Sequence, residues 1–284
     1  MLPYLADGRS AYPPVPMPDT TMKVLPTIVL AHGAWHQPAN YQTFIDALSS
    51  VGFSVHAPRL PSCSNNYTTP PSVSVPEDVA AINTVLKERV NAGEDVLMVM
   101  HSYGGLVGTD ALTNDLLRTT RAAEGQKGGV IHLLYQCAYI LELGTSIIDI
   151  SKASGLFPMW SQFVTDYDDG STFPVDPGLL FFSGEGEPAV LEASLPLLVR
   201  SPLSAFNAPA KGDLWKKVPV TYAHTLKDYA VPYAYQTIMV ERAEKAGVDM
   251  VKETYNTSHS IFITEQKAMV KLALKAAKDK RNPN

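Results

Sequence analysis

Apolar and polar positions follow two rhythms along the chain, and the switching between them predicts a layered architecture. Thr27-Ile28-Val29-Leu30-Ala31 is a short continuous apolar run bounded by Pro26 and Gly33, the pattern of a strand buried on both faces. Val96 to Met100, entered from Glu94-Asp95, repeats it, as do Gly129 to Tyr135 and Val218 to Ala223. Phe53 to Ala57 and Val248 to Tyr255 read as further strands. Between them lie helical patterns: an amphipathic segment at 40–50, one opened by Pro76-Glu77-Asp78 and running to about Ala92, one from Leu106 to about Thr113, and one at 233–246. Proline and acids suit the first of a helix's turns, where N–H groups lack partners and the dipole is positive. Lys267, Lys271 and Lys275 recur every fourth residue around Val270, Leu272 and Leu274, which reads as the wet side of a last amphipathic helix. Strand–helix alternation of this kind predicts an α/β fold with a mostly parallel, doubly wound sheet covered on both sides.

Two stretches break the rhythm. Residues 1–26 carry Pro3, Pro13, Pro14, Pro16 and Pro18 with little periodicity, which predicts an extended arm or a strand added to the sheet edge. Residues 143–212 mix glycines, prolines and aromatics (Phe157, Trp160, Phe163, Phe173, Phe181, Phe182) with weak strand signals. A long structureless loop is improbable in a compact domain, so this stretch reads as a cap inserted into a core made of 27–142 and 213–284.

Composition narrows the function classes. A hydrophobic fraction of 45% is enough to fill a sizeable core. A net charge of −5 argues against a nucleic-acid partner, which needs a basic surface to release counterions. No run is apolar for long enough to cross a membrane, and no basic start with an apolar follow-on marks a secretion signal, so a cytoplasmic location is expected. Cys63 and Cys137 are too few for a disulfide framework, and Cys137 sits in an apolar run that predicts a buried thiol. Of two glycosylation sequons, Asn66-Tyr67-Thr68 and Asn256-Thr257-Ser258, the second abuts His259, a candidate catalytic residue that a glycan would block, and is expected to stay unused. The partner expected is a small-molecule substrate, and the chain leaves a homodimer open.

The candidate chemistry begins at Met100-His101-Ser102-Tyr103-Gly104-Gly105, which follows a strand and opens a helix. A serine at such a turn can be presented as a nucleophile if small residues flank the bend, and Gly104 supplies one two positions later. Two positions earlier the usual glycine is replaced by Met100. An ordinary serine N-cap is the plainer reading. The Tyr103 amide at the helix start would face a developing oxyanion, and Ala34, in His32-Gly33-Ala34-Trp35-His36, is the candidate second donor. His32 and His36 lack the helical spacing and the accompanying acid or cysteine of a metal site, so no metal is expected. His259 follows the last strand in a loop before the final helix, where an imidazole can take the serine proton. Asp228 is the sole carboxylate in the loop after Val218 to Ala223, and its expected role is to orient His259; Glu142, after the third strand, is the alternative acid. Trp35, Tyr139 and Trp160 are candidate pocket walls, with core packing as the competing role for each.

These residues together resemble a known group. The His-Gly-Ala loop at 32–34, His-Ser-Tyr-Gly-Gly at 101–105, Thr225-x-x-Asp228-x-x-x-Pro232 and Ser258-His259-Ser260-x-Phe262 are similar to the α/β-hydrolase fold superfamily. Within it they resemble the plant methylesterase and hydroxynitrile-lyase branch and its microbial relatives. The resemblance spans about residues 27 to 275, and Asp176-Pro177-x-x-x-Phe181-Phe182 belongs to it. It implies a cofactor-free enzyme with Ser102, Asp228 and His259 as triad and Ala34 and Tyr103 as oxyanion donors. Lyases of that branch carry Thr after the first motif His and Lys after the triad His; here those positions are Gly33 and Ser260, which favours ester, lactone or thioester hydrolysis. A carbon–carbon lyase or cyclase using His259 as base, and a non-catalytic small-ligand receptor, are the rival functions on the same scaffold.

Overall fold

The apolar runs form a six-stranded sheet, seen in a computed structural model that describes residues 24–63, 66, 68 and 71–283. Its strands are β1 (Thr27–Ala31), β2 (Val55–His56), β3 (Asp95–His101) and β4 (Gly129–Gln136). After β5 (Val164–Asp166), β6 (Ser171–Pro174) and β7 (Ser201–Pro202), it is completed by β8 (Val220–Thr225) and β9 (Met250–Tyr255). The order across it is β2-β1-β3-β4-β8-β9, and every pairing is parallel. Most of the proline-rich 1–26 arm and part of the Asn66 sequon lie outside the described residues.

Side chains of a strand alternate between faces, so a continuous apolar strand must feed two cores. Ile28, Leu30, Leu97, Val99 and Leu134 enter one cluster with Phe44, Phe262 and Met269. Val29, Ala31, Met98, Met100 and Leu133 enter the other with Ile82, Leu86 and Val90. Those last three recur every fourth residue along the helix Val75–Asn91, and each contributes on the order of 1.5–3 kcal/mol through burial. That helix starts on a capping box, with the Ser74 amide donating to Glu77 at 3.0 Å, and has Pro76 in its first turn. The sixfold helical cover is completed by Gln42–Ser50, Gly104–Asp110, Arg118–Ala123, Tyr233–Lys245 and Gln266–Ala277.

Between β4 and β8 the chain forms short helices and a separate antiparallel sheet, β5-β6-β7. This sheet is stitched to the loop after β1. The Trp35 indole donates to Thr172 at 3.0 Å, and the Trp35 amide donates to the Ser201 hydroxyl at 2.8 Å. The Val199 amide donates back to the Trp35 carbonyl at 2.8 Å. Among the described residues, no helix is long and apolar enough to cross a membrane.

One buried polar side chain in the six-stranded sheet has both of its groups unmet. Gln136, at the end of β4, is fully buried, and neither its amide nitrogen nor its oxygen makes a hydrogen bond. Two unmet groups in the interior are a standing cost, while Met has nearly the same shape and none to meet. Gln136→Met is therefore expected to stabilise the fold by about 1–3 kcal/mol. Urea denaturation followed by circular dichroism checks this, and a lower midpoint would show that the amide is satisfied in solution.

Candidate active site

Parallel strands present their C-terminal ends to one edge of the sheet, where an α/β fold places its ligand crevice. Three non-glycine residues with left-handed backbone gather there: Trp35 (φ 60°) after β1, Ser102 (φ 54°) after β3 and Cys137 (φ 39°) after β4. Such conformations cost on the order of 1–3 kcal/mol each and persist only where the surroundings dictate them. At Ser102 the surroundings are explicit. A Cβ on Gly104 would lie 2.1 Å from the Ala31 carbonyl oxygen, and one on Gly105 would lie 2.5 Å from the Tyr139 carbonyl oxygen. The bend is thus wedged between the ends of β1 and β4. The Met100 position is also explained: its side chain fills the space left by Gly108, where a Cβ would lie 2.6 Å from the Met100 sulfur. A bulky residue before the serine is accommodated by a missing one six positions after it.

Asp228 and His259 come together from different loops. His259 Nδ1 donates to Asp228 Oδ2 at 2.8 Å, with both side chains buried. The same oxygen accepts from Thr225 Oγ1 at 2.7 Å, and Oδ1 accepts from the amides of Ala230 (2.9 Å) and Val231 (2.7 Å). Four donors on one carboxylate fix its position and leave His259 Nε2 as the free, basic nitrogen. Glu142 lies elsewhere, about half exposed and 3.6 Å from Arg242.

The loop after β1 closes the other side. A Cβ on Gly33 would lie 3.1 Å from the Ser102 Cβ, so this loop touches the serine. Among the described residues, the amides of Ala34 and Tyr103 donate to no acceptor. Tyr103 is held from behind, because its hydroxyl donates to Asp78 Oδ2 at 2.8 Å. Asp78 also accepts from the amide of Ser62 at 2.8 Å and from its hydroxyl. The acids opening that helix read in sequence as dipole partners; Asp78 is instead fully buried, and desolvation raises its pKa above the usual carboxylate range.

Three further histidines near the site are held by protein partners. His32 Nδ1 donates to the Gly33 carbonyl and Nε2 accepts from the Leu60 amide, while His36 Nδ1 donates to the Ala34 carbonyl. His101 Nε2 donates to the His259 carbonyl at 3.0 Å, and its Nδ1 accepts from the Tyr41 hydroxyl at 2.6 Å. His101, Cys137 and His259 present ligand-type atoms within 4.8 Å of one another, and each is engaged by the protein. Both His101 nitrogens are spent on protein partners, the Cys137 thiol donates to the His259 carbonyl, and burial raises the thiol's pKa well above its ordinary value.

Trp35, Tyr139 and Trp160 all line one cavity of about 340 Å³ that also reaches Ser102, Tyr103 and Asp228. Its remaining wall is mostly apolar, with Phe163, Leu180 and Phe206 among the contributors. Sequence reasoning missed three positioning residues: Asp78, Tyr41 and Gln236. Gln236 is fully buried and brackets the Asp228 loop, bonding the Thr225 amide, carbonyl and hydroxyl and the Val231 carbonyl.

Fold and site define a class, and comparison with known proteins agrees: the chain belongs to the alpha/beta hydrolase family, whose model matches residues 28–272. Alpha/beta hydrolase nvfD of Aspergillus novofumigatus is 29% identical over 224 residues, 78% of this chain and 85% of the relative. A probable hydrolase, R7, of Phoma sp. is 28% identical over 225 residues, with the same coverage. Among solved structures, a pyrethroid hydrolase from Sphingobium faniae superposes with a TM-score of 0.66 at 18% identity, covering 90% of this chain and 98% of its own. A methylesterase from Arabidopsis superposes with a TM-score of 0.64 at 18% identity, covering 89% and 99%.

The buried histidines make acid stability predictable. Desolvation lowers the pKa of His32 from 6.5 to about 4 and that of His36 to about 3. Each therefore takes up a proton on unfolding once the pH is below 6.5. Their contribution is whole above pH 6.5 and is lost as pH falls through about 4 and about 3. The urea midpoint should decline over this range, and His36→Gln should decline less steeply than wild type. Parallel slopes would show that His36 is already protonated in the folded state.

Proposed function

We propose that the protein is a serine hydrolase that cleaves an ester, lactone or thioester of a small apolar or aromatic substrate through an acyl-enzyme. The observation that carries this reading is the buried Asp228–His259 pair, at 2.8 Å, with Asp228 lining the same cavity as the left-handed Ser102. In the proposed reaction, His259 Nε2 accepts the Ser102 hydroxyl proton as Oγ attacks the substrate carbonyl. The negative oxygen of the tetrahedral intermediate is met by the Ala34 and Tyr103 amides, which have no other acceptor to give up. The intermediate collapses with expulsion of the alcohol or thiol, which takes the proton from His259. Water, deprotonated by the same imidazole, then attacks the acyl-enzyme and frees Ser102 and the acid. The cavity's size lies in the range of small-molecule sites, and its apolar wall suits a compact, secondary-metabolite-like substrate. The relatives described as hydrolases support the reading at the level of reaction class.

The site also argues against the lyase arrangement. A threonine at Gly33 would place its Cβ 3.0 Å from His101 Nδ1 and 3.1 Å from the Ser102 Cβ, a spacing tighter than ordinary contact. At position 260 the side chain is a fully buried serine hydroxyl with no partner, where the lyases of the branch carry lysine. A cytoplasmic location belongs to the same proposal.

Two variants test it. Ser102→Ala should lower turnover of 4-nitrophenyl acetate by several decades while the circular dichroism spectrum is unchanged, and should abolish the mass gain after treatment with a fluorophosphonate. Labelling that persists in this variant would move the nucleophile elsewhere. Asp228→Asn should cost on the order of 10⁴ in turnover, because the amide favours the wrong His259 tautomer, whereas Glu142→Gln should stay near wild type. The reverse ranking would reassign the acid.

A further inference from the structure

The cavity wall carries few polar groups, and their hydrogens can be accounted for one by one. The Trp35 indole N–H is spent on Thr172, the Trp160 indole N–H on Asp166, and the Tyr103 hydroxyl on Asp78. Asp228 is saturated by four donors. Tyr229 and Tyr233 are exposed, with about 45% and 44% of their surface open to solvent, and so have water as a partner. Besides the Ser102 hydroxyl, three hydroxyls remain. The Tyr139 hydroxyl, on a residue 4% exposed, makes no hydrogen bond among the described residues, although Tyr139 lines the cavity. Ser151 and Tyr235, from facing helices, bond to each other at 2.6 Å and line the same cavity. Two hydroxyls carry two hydrogens, and only one can lie between their oxygens; the Ser154 hydroxyl, which itself donates to the Ser151 carbonyl, also neighbours Tyr235 and is the acceptor a ligand oxygen must displace to take the second. Burial comes first, and the neighbouring Tyr235 next, in holding the Tyr139 phenol well above its ordinary pKa, so this donor remains protonated.

A buried hydroxyl without a partner costs free energy until something meets it, so a donor left open on a cavity wall selects for what enters. Among the described residues, no lysine or arginine lines the cavity, which leaves an anionic ligand without a counterion there. We infer that Tyr139 and the Ser151–Tyr235 pair form a subsite for a neutral carbonyl-type oxygen carried on the apolar frame of the substrate. The substrate class is then an uncharged, ring-based ester or lactone bearing a second acceptor oxygen, such as a ketone, away from the bond that is cleaved. That the ligand is also an ester rests on the hydrolase reading; the subsite itself does not.

The test uses two ligands without a cleavable bond, so its outcome is independent of Ser102 chemistry. 1-Tetralone and tetralin share a fused-ring frame and differ in one carbonyl oxygen. Their affinities for the wild-type chain and for a Tyr139→Phe/Tyr235→Phe variant are measured by isothermal titration. Each hydrogen bond lost should weaken the ketone about fivefold, so a loss of roughly 5- to 25-fold is expected. Tetralin should change by less than about twofold, which also shows that the variant has kept its cavity. Equal changes for the two ligands, or no binding of the ketone to the wild-type chain, would overturn the subsite. Loss of ester turnover in Ser102→Ala together with equal changes here would keep the hydrolase and discard only the subsite.

Discussion

The bend at Ser102 can exist only because Gly104 and Gly105 let the following helix start in contact with the backbones of its neighbours. The serine sits at φ 54°, and the space beside Gly104 ends at the Ala31 carbonyl, where a Cβ would be 2.1 Å away. The bend is thus fixed by the lateral spacing of β1, β3 and β4, which parallel pairing sets at about 4.8 Å between neighbours. The left-handed cost is offset by the sheet's own packing, since moving Ser102 would require β3 to part from both flanking strands. The same contacts position the surrounding loops. Gly33 reaches the Ser102 Cβ, and the Tyr139 amide donates to the Ser102 carbonyl at 3.1 Å.

A polar chain ties these loops together under the serine. The Gly33 amide donates to the Tyr41 hydroxyl, Tyr41 donates to His101, and His101 donates to the His259 carbonyl. The acceptor at the far end is a carbonyl, which fixes the tautomer of His101 and the direction of every bond behind it. Neutrality of His101 matters as much as its geometry. Its ring centroid is 4.5 Å from that of His259, and burial, reinforced by the neighbouring histidines, holds its pKa well below the ordinary value. Two positive imidazoles at that separation would repel by about 4 kcal/mol at an effective dielectric constant of 20. In the proposed mechanism, a neutral His101 spares His259 that penalty when it accepts the serine proton.

The sequence was most informative where one residue's type and its neighbours decide its role. Continuous apolar runs closed by Pro26 or Gly33 marked strands, because only a two-sided core tolerates them, and the serine stood out by its place between strand and helix. Roles that depend on distant partners left no such mark. Asp78 looks like any helix-opening acid until the fold brings Ser62 and Tyr103 onto it. Gln236 is one polar residue in an amphipathic helix, yet its amide braces Thr225 eleven positions earlier. Strands of three, four and two residues in β5, β6 and β7 are too short for alternation to show. Sequence favoured Asp228 but left Glu142 open as the alternative, because each follows a core strand; of the two, Asp228 is the one that reaches His259 in the fold.

Unmet polar groups near the serine fall into two kinds, and the difference is access. Gln136, Ser258 and Ser260 are sealed into the interior, with polar side-chain atoms that neither protein nor cavity meets. For these the missing bond is a loss of stability, and apolar replacement removes it. The Tyr103 amide and the Tyr139 hydroxyl also lack acceptors, but both residues line the cavity beside Ser102. There the unmet bond is recovered when a ligand oxygen arrives, so its cost is borne by the empty protein and returned on binding. A mostly apolar wall heightens the effect, because a donor with no water to compete for it discriminates more strongly between an oxygen and a methylene. Selectivity at such a site comes from the very few groups left unsatisfied, and their number is limited by the stability that the rest of the core can supply.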